Sequence, residues 1–195
     1  MDIPQQSQHD NFHNGRTSAL ELAEIQSEEE PGGFARAALK LLENNFSPIP
    51  IAKSTKRPLL KNWSQTCEEP LTADEIAEIV RRHPGAGVAI ACGYKGVLAI
   101  DIDTDDREVL KAVQRVLGEG GAPRRGRKGV CSFYRLSEDQ SVPSRQFKKI
   151  LDVLGSGRCC IVPPTVHLDG MPYRWLTSAT LLNTPLDRLP VVRGR

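Results

Sequence analysis

The stretch Gly96-Val97-Leu98-Ala99-Ile100-Asp101-Ile102-Asp103-Thr104 is an apolar run, rich in β-branched residues, that ends in two carboxylates one residue apart. As a strand it alternates: Leu98, Ile100 and Ile102 take one face, and Val97, Ala99, Asp101 and Asp103 take the other. The two carboxylates then project together, roughly 6.5–7 Å apart at ~3.3 Å per residue. Two like charges on one otherwise apolar face repel and are costly to desolvate, so the arrangement needs an exposed strand end, protonation or bound cations. This reads as a divalent-metal site. A competing reading has Asp103 or Thr104 capping the helix that follows, which leaves Asp101 as the better ligand.

Upstream, Gly87 to Cys92 is a buried strand, and Gly93-Tyr94-Lys95-Gly96 reads as a hairpin turn that pairs it antiparallel with the acidic strand. Thr72-Ala73-Asp74-Glu75 is a capping box opening a short surface helix that stops at His83-Pro84-Gly85. Phe46 to Ile51 is extended, with prolines suited to an edge strand, and runs into a basic loop holding Lys53, Lys56, Arg57, Lys61 and Trp63. Phe34, Ala37, Ala38, Leu41 and Leu42 have helical spacing and predict a helix docked on a sheet.

Downstream, Asp105 to Leu117 predicts a helix with Val109, Leu110, Val113, Val116 and Leu117 toward the core and Gly118 as its stop. Arg124-Arg125-Gly126-Arg127-Lys128-Gly129 sets four cations between glycines before the strand Val130 to Leu136. Such a loop suits a triphosphate, because backbone N–H groups approach a ligand closely at glycine; a solvated basic turn is the bland alternative. Phe147 to Leu154 alternates and contains Asp152, Cys159 to Val162 is another strand, and Asp169-Gly170 is a hairpin turn returning through Tyr173-Arg174-Trp175.

The chain has 195 residues, 39% hydrophobic and 26% charged, which suits one soluble domain with polar extensions. No apolar run reaches the ~20 residues of a membrane span and the polar N-terminus has no signal-peptide core, so a cytoplasmic protein without membrane contact is expected. Residues 1–31 carry seven acids against Arg16 alone, a charge of −6, and read as a disordered acidic tail. The remainder holds 25 basic against 17 acidic residues, +8, which favours a polyanionic partner. The five cysteines are odd in number and include no C-x-x-C pair, so they read as reduced, mostly buried thiols. Residues 32–190 form the domain, and 191–195 read as a linker or a truncated end.

With these pieces in order, the sequence resembles the primase–polymerase domain of the archaeo-eukaryotic primase superfamily, over roughly residues 33–190. The acidic–x–acidic first motif is Asp101-Ile102-Asp103, and the single acid of the third motif is Asp152 in Leu151-Asp152-Val153-Leu154-Gly155. Gly157-Arg158, Ile161 to His167 and Tyr173-Arg174-Trp175 look like the closing segment. The second motif departs from its usual pattern, with Cys131 where the family has a histidine; Ser132, Lys128, Arg127 or His167 are the substitutes for its triphosphate contact.

The resemblance implies an α+β fold, a mostly antiparallel sheet with packed helices and a cleft between a nucleotide-binding part and a catalytic part. It implies a nucleotidyltransferase that makes or extends primers on single-stranded DNA from NTPs or dNTPs. Two ions, Mg²⁺ or Mn²⁺, would be held by Asp101, Asp103 and Asp152, and Arg127, Lys128, Ser132, Arg158 and His167 would bind nucleotide. It further implies replication of a plasmid, phage or mobile element, with a helicase fused or encoded nearby. The alternative is a catalytically weak replication-initiator module that binds nucleic acid or nucleotide. A phosphatase is disfavoured by Asp105 two residues after the second acid, and a glycosyltransferase leaves the basic loop and Asp152 unexplained.

Overall fold

The computed structural model describes residues 31–137 and 140–192; the expected acidic tail up to Glu30 and the last three residues lie outside the described residues. The fold is α+β, as expected. Among the described residues the α-helices are α1 (Gly33–Glu43), α2 (Ala73–Arg82) and α3 (Arg107–Leu117). A small sheet has the order β1 (Pro48–Ile51), β2 (Gly87–Cys92), β8 (Arg158–Ile161), all antiparallel. A larger sheet has the order β6 (Arg145–Phe147), β7 (Leu151–Leu154), β3 (Val97–Ile102), β5 (Val130–Leu136), β4 (Gly121–Arg125), β9 (Arg174–Trp175). Its pairs are antiparallel except that β10 (Val191–Val192) joins β5 in parallel, so the sheet reaches two residues beyond the domain end read from sequence.

The alternation expected of the acidic strand is observed. Leu98, Ile100 and Ile102 pack with Tyr134 and Leu136 beneath Val109, Leu110, Val113 and Leu117 of α3. Val97 and Ala99 face the other way, joining Cys131 and Phe133 against Val88, Ile90 and Cys160 of the small sheet. The main core therefore lies between the two sheets, closed by Phe34, Ala37, Ala38 and Leu41 of α1. The proline-bearing β1 is an edge strand, and α2 carries the expected capping box, reciprocal between Thr72 and Glu75.

Three expectations are corrected. Strands β2 and β3 do not pair: they belong to different sheets, and the tight turn at Gly93 to Gly96, with Gly93 at φ +91° and Lys95 at φ +46°, carries the chain from one sheet to the other. The alternating run Phe147 to Leu154 is not one strand; it turns at Lys148 and Lys149, both with positive φ, and Phe147 and Leu151 pair across a β6–β7 hairpin. Val116 is not core. It is 81% exposed at the mouth of an apolar cavity of about 850 Å³ between α3 and the sheet, because α3 spans only part of that face.

Candidate active site

The site is a row of side chains running across the large sheet, perpendicular to its strands. Register pairs Gln146 with Asp152, Asp152 with Asp101, Asp101 with Cys131, Cys131 with Arg124 and Arg124 with Trp175. Directly opposed residues in an antiparallel ladder share a face and hold their Cβ atoms about 4.5–5.5 Å apart. Asp152 therefore stands beside Asp101 although the two are far apart in sequence, and Asp103 follows on the same face. Neither Asp103 nor Thr104 caps α3: that role falls to Asp106, whose Oδ1 accepts from the Glu108 N–H at 2.8 Å.

Asp101 and Asp103 open into a cavity of about 330 Å³ whose other walls include Arg124, Arg127, Lys128, His167 and Tyr173. The basic loop is pinned against the acidic strand at Gly129. Its φ is +65°, and a Cβ there would fall 1.7 Å from the Ile102 carbonyl oxygen, so only glycine permits this approach. The Gly129 N–H donates to Asp105 Oδ1 at 3.1 Å, and Arg125 reaches the same oxygen at 2.8 Å. These bonds leave Arg127 and Lys128 exposed at the loop tip, facing the carboxylates. On the opposite wall His167 Nδ1 lies 2.9 Å from Asp169 Oδ1, and its ring sits 5.5 Å from that of Tyr173. Burial pushes the Tyr173 phenol up to about 12, so it stays protonated.

Arg124 is the residue the sequence reading missed. In sequence it adjoins the loop cations, but it lies in β4 and is only 6% exposed, with its guanidinium carbon 5.0 Å from the Tyr173 ring centroid. Its Nη2 donates to Asp101 Oδ2 at 3.3 Å and to Cys160 Sγ at 3.4 Å. Ala122 and Arg124 are the buried positions of β4, a parity that the local sequence Gly121 to Arg125 does not disclose.

Cys131, at the position where the resemblance expects a histidine, is fully buried between Asp101 and Arg124 and does not line the cavity. Its Sγ is 3.5 Å from Cys160 Sγ. Burial pushes the Cys131 thiol well above its ordinary range, while the hydrogen bond with Cys131 and the nearby Arg124 draw Cys160 down. All five cysteines are unpaired.

Not every nucleotide-binding candidate meets the cavity. Arg127, Lys128 and His167 do. Ser132 sits opposite Ile100 on the face beneath α3, because β5 alternates and Cys131 takes the site face. Arg158 lies with Asp152 in a separate, adjoining groove.

The fold and site thus define an α+β domain with an acidic row facing a basic glycine loop. Residues 38–191 match the family of bifunctional DNA primase/polymerase N-terminal domains, and the chain belongs to that family. Membership places it among the DNA primase/polymerase-type nucleotidyltransferases, which act on a DNA template and nucleotides and are generally metal-dependent. A comparison with curated proteins gives no match. No described helix is long and apolar enough to cross a membrane.

Among the described residues, no three His, Cys, Asp or Glu side chains already converge as a metal-holding group. Asp101 is turned toward Arg124, and Asp152 accepts from Gln146 Nε2 at 3.3 Å. The donor chemistry nonetheless fits a hard divalent cation: three carboxylates share one sheet face, two of them in direct register.

Proposed function

We propose that the chain joins nucleoside triphosphates to a 3′-hydroxyl on a single-stranded DNA template, as a primase, a primer-extending polymerase or both. The observation that carries this reading is the register pair Asp101–Asp152, with Asp103 on the same face and with Asp101 and Asp103 set against the basic loop across one cavity. Asp101, Asp103 and Asp152 would hold two divalent ions, Mg²⁺ or Mn²⁺, which when bound lower the pKa of an attacking hydroxyl and neutralise a leaving pyrophosphate.

The chain's own groups have distinct tasks. Arg127 and Lys128 meet the triphosphate from the loop tip, where backbone N–H groups add to their charge. His167, with Nδ1 engaged by Asp169, presents its other nitrogen for a phosphate or sugar oxygen. Arg124 neutralises Asp101 in the absence of cations and keeps its carboxylate aimed along the row. Ser132 has no part in this scheme because it lies on the opposite face. The setting we infer is cytoplasmic replication of a plasmid, phage or other mobile element, with a helicase fused or encoded nearby.

A second reading, a module that binds nucleotide or nucleic acid with little catalysis, is favoured by the burial of Cys131 where the resemblance expects a histidine. One experiment separates the two. Purified protein is given primed and unprimed single-stranded DNA, NTPs or dNTPs, and Mg²⁺ or Mn²⁺, beside the Asp101→Ala/Asp103→Ala variant. The polymerase reading expects incorporation that chelation and the double variant both abolish. Nucleotide binding without incorporation under every condition would leave the second reading standing.

A further inference from the structure

We propose that the groove adjoining the carboxylate row on its β6–β7 side seats the 3′-terminal segment of the growing strand, apart from the cavity that takes the incoming nucleotide. This inference rests on the nucleotidyltransferase reading above and adds a division of labour within it. The groove, about 540 Å³, is walled by Asp152 and Gln146 at the end of the row and by Lys56, Trp63, Arg145 and Arg158. Lys56 also lines the nucleotide cavity, so the two spaces adjoin.

The chemistry of transfer assigns the strand to this side. In an in-line displacement the attacking hydroxyl and the leaving pyrophosphate lie on opposite sides of the phosphorus under attack. The cations that suit a triphosphate, Arg127 and Lys128, stand on the Asp101–Asp103 side of the row. The attacking oxygen must then come from the Asp152 side, and the groove is the space that opens there. Its three remaining cations suit the sparser charge of a phosphodiester backbone. Arg145 and Arg158 are exposed, and neither carries a described ion pair. Trp63, half-buried against the core on the outer face of the small sheet, offers a fixed aromatic wall for a terminal sugar or base. The Asp152 carboxylate, accepting from Gln146 at one oxygen, sits where the strand end would arrive.

The test uses the full chain and DNA labelled at its 5′ end, either a primer–template with a recessed 3′ end or the template strand alone. Binding is read by fluorescence anisotropy, and triphosphate binding is measured separately by calorimetry. Charge reversal at two exposed positions, Arg145→Glu/Arg158→Glu, should weaken primer–template binding about tenfold or more, as expected for lost phosphate contacts. It should change binding of the template strand alone, and of triphosphate, by less than about threefold. Arg127→Glu/Lys128→Glu should do the converse. The chain's two tryptophans allow an independent readout: quenching by primer–template should vanish in Trp63→Phe and persist in Trp175→Phe. Unchanged primer–template binding in the groove variant, equal losses for the template strand alone, or quenching that survives Trp63→Phe would overturn the assignment. Wild-type protein that binds primer–template through the groove yet incorporates nothing would instead sink the polymerase reading and leave the groove intact.

Discussion

The two faces of β3 are made from alternate residues of one short stretch, and their environments differ sharply. On the α3 side Leu98, Ile100 and Ile102 are 3%, 3% and 6% exposed. On the other side Val97 and Ala99 are buried against the small sheet, yet two residues further along Asp101 keeps 27% of its side chain accessible and has Arg124 beside it. A strand can thus anchor a domain and carry a charged site at once, provided the charged face runs out of the inter-sheet core before the acids begin. Slippage of β3 by one residue would turn both carboxylates under α3 and the isoleucines into the cavity, so the packing of one face enforces the chemistry of the other.

The comparison can be broken most directly at Asp101. Asp101→Asn keeps the shape of the side chain and removes its charge; nucleotide incorporation should fall by about 10²–10³-fold, and the thermal midpoint should fall as well because the buried Arg124 loses its counter-charge. An incorporation assay paired with a melting curve checks both halves. Next comes Gly129→Ala. The added methyl must displace either the basic loop or the end of β3, so triphosphate binding should weaken and stability fall by more than about 1 kcal/mol, measured by titration and by denaturant unfolding.

On the opposite face the roles reverse. Ile100→Ala should cost about 2–4 kcal/mol in denaturant unfolding through the cavity it leaves, while the folded fraction retains incorporation within about threefold. Comparable loss of specific activity there would show that the two faces are not separable. The smallest effect belongs to Val116: because it is 81% exposed, Val116→Glu should change stability by no more than about 0.5 kcal/mol in the same unfolding measurement. A larger change would mean that the apolar cavity beneath α3 has an occupant in solution.

Much of the site was legible because it is written in local pattern. The alternation of β3 separated its acids from its anchors, and the glycines around the basic loop marked a close approach that Gly129 makes at Ile102. What escaped was whatever depended on a partner strand. Arg124 looked like one more loop cation because nothing local says that β4 turns it inward onto Tyr173 and Asp101. Ser132 looked available because strand parity separates it from Cys131 without saying which of the two meets the acids. The turn at Gly93 to Gly96 looked like a hairpin because its glycines permit the reversal, whereas the choice of different sheets for β2 and β3 is made by long-range pairing with β1, β5, β7 and β8.

By itself the sequence determined the helices, most strands, which residues of β3 share a face, and Asp101 and Asp103 as acids worth suspecting, since periodicity and turn chemistry act over a few residues; Asp152 joined them only through the family resemblance. Only the tertiary structure decided that Asp152 stands beside Asp101, that Arg124 lies buried between Tyr173 and the acids, that Cys131 is sealed from the cavity, and that two spaces rather than one flank the row. The reason is that strand order and register are set by how apolar faces close over one another across the whole chain, and no local pattern carries that information.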